Sequence, residues 1–104
     1  MKTVAEQMEL ARKAQETVAG YTQEQIDEVC LAVGWEVYRD DNIAKLARMA
    51  VEETGYGNAE SKILKHKRKV GGVMHDIKGA VSVGLMERDE ASGISKYAKP
   101  VGVV

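Results

Sequence analysis

Seven residues at the C-terminal side, Ala98-Lys99-Pro100-Val101-Gly102-Val103-Val104, constrain the fold more than any other feature. The proline marks a turn, and the nearly uninterrupted apolar run behind it has the pattern of a strand buried on both faces, the kind a parallel sheet supplies. Such a strand needs neighbours, and no other segment of the sequence offers it a parallel partner. The expectation is the leading portion of a larger α/β protein, with a complete small domain as the alternative.

A chain of 104 residues makes one domain at most. Hydrophobic residues are 44% of it but aromatics only 5%, with no Phe, so Val, Ile, Leu, Ala and Met must supply the apolar area. That composition suits packed helices and disfavours a large aromatic binding pocket. Fifteen Lys and Arg nearly balance sixteen Asp and Glu, so no long-range field toward nucleic acid or an acidic membrane is implied. One cysteine, Cys30, cannot form an internal disulfide, and with only His66 and His75 beside it no metal-ligand spacing can be built. A reducing, cytoplasmic setting is expected. No apolar run approaches a spanning helix, and Met1 to Leu10 alternates charged with apolar residues instead of presenting a signal-peptide core.

Capping signals divide the first 79 residues. Thr3 with Glu6 forms a capping box, and Val4, Met8, Ala11 and Val18 fall near one face until Gly20 ends the pattern. Thr22 with Gln25 repeats the arrangement, and Ile26, Val29, Cys30, Val33 and Val37 form a stripe at spacings of three and four. Asp40 or Asp41 is expected to cap a third helix with the stripe Ile43, Leu46, Ala47, Ala50 and Val51, closed by Gly55. Connections this short predict antiparallel neighbours. Asn58 offers the next cap, for a helix running toward Ile77 with a bend or a close helix contact at Gly71-Gly72. Beyond Gly79 the period becomes two: Val81, Val83 and Leu85 alternate with Ser82 and Gly84 as a half-exposed strand. Asp89-Glu90-Ala91-Ser92-Gly93 is a turn, and Ile94 to Lys99 returns as the second strand of a hairpin.

No residue set assembles an active site. Cys30 lies inside an apolar stripe, whereas a catalytic thiolate needs an accessible, electropositive setting or an adjacent base, so a core cysteine is expected. The run Lys65-His66-Lys67-Arg68-Lys69 points around the helix cylinder and cannot make one patch for one phosphate; a solvated or salt-bridging face is expected, and nucleic-acid binding is not. Gly55-Tyr56-Gly57 lacks the third glycine of a dinucleotide loop, with Glu60 in its place and a helix instead of a strand before it. Glu52 and Glu53 are adjacent on a helix and diverge, so they are no acid–base pair. Catalytic, cofactor-binding and metal-binding residues are therefore expected to be none in this chain.

Ala14-Gln15, Tyr21-Thr22-Gln23-Glu24-Gln25-Ile26-Asp27, Ala50-Val51-Glu52-Glu53-Thr54-Gly55-Tyr56-Gly57, Lys62 and the closing Ala98 to Val104 resemble the N-terminal portion of the coenzyme-A-acylating aldehyde dehydrogenases. That group includes acetaldehyde, propionaldehyde and succinate semialdehyde dehydrogenases and the aldehyde half of bifunctional aldehyde-alcohol dehydrogenases. Ser61 departs from the pattern, where relatives commonly carry an acidic residue before the lysine. The resemblance implies an α+β fragment of an α/β enzyme. Residues 1–79 would be an antiparallel helical layer of three to four helices, 80–99 a β-hairpin serving as an oligomerisation arm, and 100–104 the first strand of a dinucleotide-binding domain. It implies a reaction in which a cysteine attacks an aldehyde, hydride passes to NAD(P), and the thioester is handed to coenzyme A. In that family the catalytic cysteine and most of the cofactor site lie beyond this segment, so Cys30 is not the nucleophile and the chain alone is expected to be inactive. NAD(P) and coenzyme A are implied for the full-length protein, and a homo-oligomer through residues 80–104 is expected, with neither nucleic acid nor membrane as partner. The alternative is a self-contained, non-catalytic oligomerisation or interaction module.

Overall fold

The computed structural model describes residues 2–104, which form four helices followed by one hairpin: α1 (Val4–Val18), α2 (Gln23–Tyr38), α3 (Asp40–Thr54), α4 (Ala59–Asp76), β1 (Gly84–Asp89) and β2 (Ile94–Ala98). They group into two compact units. One comprises the residues up to 28 together with 80–104, and the other comprises 29–79.

The helix ends follow the capping chemistry of the sequence. Thr3 Oγ1 accepts from the Glu6 N–H at 3.3 Å, and Glu6 Oε2 accepts from the Thr3 N–H at 2.7 Å, which satisfies donors that the first turn of α1 leaves free. Thr22 and Gln25 exchange the same pair of bonds at the start of α2, at 2.9 and 3.3 Å. Asn58 Oδ1 accepts from the Ser61 N–H at 2.8 Å and starts α4. Gly55 takes φ +68° at the C-cap of α3 and donates its N–H to the Val51 carbonyl at 2.8 Å, the left-handed closure that glycine adopts without steric penalty.

The cap expected from Asp40 or Asp41 is not used. α2 runs on to Tyr38, so the corner residue is Arg39, which makes no side-chain cap bond, and both aspartates fall inside the first turn of α3. There they face the positive end of the helix dipole, and Asp41 Oδ2 binds Arg39 at 3.1 Å.

Within residues 29–79 the close helix pair is α3 with α4. Ile43 (0% exposed) and Ala47 (3%) are one turn apart on α3 and form the buried apolar core. α2 meets α4 at two glycines. A Cβ on Gly34 would come within 2.6 Å of Met74 Sδ, and one on Gly71 within 3.4 Å of the Tyr38 ring. Of the Gly71-Gly72 pair, Gly71 serves a helix contact while Gly72 faces open space, and α4 continues through both without interruption.

The other unit ends in the hairpin. β1 and β2 pair antiparallel from Gly84 opposite Ala98 to Asp89 opposite Ile94, with a bulge between Leu85 and Glu87. Asp89 organises the turn: its Oδ1 accepts from the Ala91 and Ser92 N–H groups at 3.0 and 3.3 Å, its Oδ2 accepts from the Ser92 hydroxyl at 2.6 Å, and Gly93 follows at φ +69°. The first strand begins later than the alternation of Val81, Val83 and Leu85 suggests, because the N–H groups of Ser82 and Val83 are bound by a side chain and not by a strand. Pro100 to Val104 is not in a ladder among the described residues. Strand structure there requires the hydrogen-bonding groups of a neighbour, and residue pattern alone cannot supply them.

Candidate functional site

Two features stand out, one in each unit. In residues 29–79 the facing sides of α2 and α4 enclose an open groove of about 470 Å³, lined by Val29, Cys30, Val33, Gly34, Val37, Lys69, Val70, Val73, Met74 and Ile77. A smaller groove of about 170 Å³ shares Gly34 and Met74 with the first and is otherwise lined by Leu31, Trp35, Tyr38 and Gly71. The middle of the α2 stripe is therefore an open apolar wall: Val29 is 44% exposed and Val33 61%. Cys30 is exposed with it, contrary to the buried position its neighbours suggested. Helical spacing identifies which face is apolar; it does not supply a partner to cover that face.

In the other unit the base of the hairpin is gripped by Gln23, the first residue of α2. Its Oε1 accepts from the backbone N–H of Ser82 at 2.8 Å and of Val83 at 3.1 Å, while its Nε2 donates to Ser82 Oγ at 2.9 Å and to Asp27 Oδ1 at 2.8 Å. Nothing in the sequence pointed to this role. Gln23 and Ser82 are 59 positions apart, and a glutamine on the first turn of a helix ordinarily faces solvent.

The remaining sequence candidates lie apart from one another. Lys67 is the one member of the basic run that forms an ion pair among the described residues, with Asp40, and the hydrogen bond and charge of that carboxylate raise its pKa. Lys65, Arg68 and Lys69 are exposed around the cylinder, as the expected solvated face requires. His66 Nε2 is enclosed without a hydrogen-bond partner, and His75 lies 3.5 Å from Asp76 at the exposed end of α4. Glu52 and Glu53 are exposed near the end of α3. No group of three or more His, Cys, Asp or Glu able to hold a metal occurs among the described residues.

The Gly55-Tyr56-Gly57 loop does not fit a dinucleotide. It follows a helix, and the Ser61 N–H that would meet a phosphate at the start of α4 is already taken by Asn58. Among the described residues the two features are therefore an apolar helix wall and an anchored hairpin.

Against this geometry the comparisons with known proteins are specific. The chain is 82% identical over 104 residues to a sulfoacetaldehyde dehydrogenase (acylating) of Bilophila wadsworthia, covering all of this chain and 22% of that protein. It is 63% identical over 94 residues to a sulfoacetaldehyde dehydrogenase of an Acholeplasma species, covering 90% of this chain and 19% of the other. A probable aldehyde dehydrogenase from Listeria monocytogenes superposes with a TM-score of 0.75 at 33% identity, over 85% of this chain and 19% of that one. No protein-family model matches the chain. The four helices and hairpin are an aldehyde dehydrogenase element. More narrowly, the chain corresponds to the N-terminal portion of the coenzyme-A-acylating aldehyde dehydrogenases and spans about a fifth of the length of the curated relatives it matches.

Proposed function

We propose that the polypeptide carrying this segment is an acylating dehydrogenase that converts sulfoacetaldehyde, coenzyme A and NAD(P) to the sulfoacetyl thioester of coenzyme A and reduced cofactor. The observation that carries this reading is the 82% identity along all 104 residues to a relative named for that aldehyde. The aldehyde carbon loses a hydride to the nicotinamide, and the thiol proton of coenzyme A is released as its sulfur becomes the acyl carrier. The described residues contribute no group to that chemistry. Their part is architectural: the helices form an apolar wall, and residues 80–104, with the hairpin of residues 80–99 as the arm, are where subunits associate. Leu85, Met86, Ile94 and Tyr97 are exposed on two short strands, and a lone two-stranded ribbon is marginal in water, which favours pairing with a second copy. A cytoplasmic setting is part of the same proposal, supported by a single unpaired cysteine, and neither nucleic acid nor a membrane is a partner.

The reaction is tested with the full-length polypeptide, coenzyme A and NAD or NADP, following reduced cofactor with sulfoacetaldehyde, acetaldehyde and succinate semialdehyde as competing substrates. The highest kcat/KM is expected for sulfoacetaldehyde, and Cys30→Ala should leave it unchanged. A higher value for either other aldehyde overturns the substrate, and formation of reduced cofactor without coenzyme A overturns the reaction class. Formation of reduced cofactor by the 104-residue chain alone would overturn its scaffold role. Association is read by light scattering over a concentration series. Val83→Lys is expected to shift the assembly toward monomer, and a wild-type monomer at high micromolar concentration overturns the arm.

A further inference from the structure

Gln23 uses the full bonding capacity of its carboxamide. The oxygen has two lone pairs and accepts two consecutive backbone N–H groups, from Ser82 and Val83; the nitrogen has two hydrogens and donates to Ser82 Oγ and Asp27 Oδ1. Asp27, one turn along α2, fixes which way the amide points, because a carboxylate can only accept and so requires the NH2 end. No other residue type satisfies all four partners. Asn is one methylene short, Lys cannot accept, and Glu cannot donate and would set its charge against Asp27.

The two amides it holds are those immediately before β1, which starts at Gly84 with φ +79°. They have no partner strand, so their direction is set by the side chain that binds them. We propose that Gln23 is the positioning residue of the hairpin, tying its root to the first turn of α2 and thereby orienting the arm for association. The consequence for association rests on the arm reading given above; the anchor rests on the four hydrogen bonds.

The test is amide hydrogen exchange over residues 81–84 of the full-length polypeptide, with light scattering on the same samples. Gln23→Leu is expected to speed exchange at Ser82 and Val83 roughly tenfold, as loss of a pair of hydrogen bonds implies, while exchange in α3 and α4 stays unchanged. It should also weaken association. Gln23→Asn, which keeps the amide but shortens it, should do the same and serves if the leucine variant does not fold. Gln23→Glu combined with Asp27→Asn should restore slow exchange, since the carboxylate now at position 23 accepts from both backbone amides and the carboxamide now at position 27 donates to it. Unchanged exchange in Gln23→Leu overturns the anchor, and faster exchange with unaltered association overturns its role in orienting the arm. A monomeric wild type overturns the arm reading itself, and the exchange result then decides the anchor alone.

Discussion

In residues 29–79 a face of α3 is closed over, with Ile43 fully buried and Ala47 nearly so, whereas in the hairpin no residue is buried and the root is held by polar contacts of one glutamine. The first region is stabilised by removing apolar surface from water, a term that grows with area and tolerates no missing methylene. The second is fixed by directional bonds at half-exposed or exposed positions, each worth little in net stability but specific in geometry. One region supplies stability and the other supplies an orientation, so substitutions in the two should fail in different ways.

The largest expected effect is Ile43→Ala, which opens a cavity at the one fully buried large side chain among the described residues and should cost about 2 to 5 kcal/mol in a denaturant titration. Leu85→Ala, at an exposed hairpin position, should fall within about 0.5 kcal/mol of wild type. Equal costs would erase the contrast between the regions. Gly55→Ala comes next, at about 1 kcal/mol. An added Cβ meets nothing within 4 Å, so the whole cost is the left-handed backbone, and Gly55→Val should be worse. A neutral result would show that the end of α3 tolerates another closure.

Cys30→Ala should be neutral to within about 0.5 kcal/mol, since the thiol is exposed on the open α2 wall. Thiol-reactive reagents should reach it in the native protein; a thiol that reacts only after unfolding would place Cys30 in a closed core. The smallest effects are electrostatic. The Thr3 backbone and hydroxyl lower the Glu6 pKa, and the Ser92 hydroxyl and backbone, with the Ala91 N–H, lower that of Asp89. Each contributes stability that is present above the ordinary carboxylate pKa and lost as pH falls through the lowered value. Lys67 has the opposite sign: Asp40 raises it, so its contribution is full below the ordinary lysine pKa and lost as pH rises through the raised value. NMR titration should return Glu6 toward its ordinary value in Thr3→Ala and Lys67 toward its own in Asp40→Asn. Unmoved titrations would show that these contacts do not hold in solution.

Much of the architecture was legible because it is local. The paired boxes of Thr3 with Glu6 and Thr22 with Gln25, the Asn58 cap, the Gly55 closure and the Asp89 turn each depend on residues within a few positions, where backbone geometry alone brings the partners together. The family was legible too, from the order and spacing of short segments between Ala14 and Val104. The α3 start was misplaced because two adjacent aspartates both look like caps, and the length of α2 put both of them inside the helix.

What the sequence determined by itself was the local elements and most of their caps, since these follow from which residue types stand within a turn of one another. Tertiary structure alone decided that the α2 stripe with Cys30 stays open while that of α3 closes, that Gly34 and Gly71 sit where helices approach, and that Gln23 reaches across 59 positions to Ser82. Periodicity records the polarity of a face, whereas burial and long-range hydrogen bonds depend on what another part of the chain brings to it.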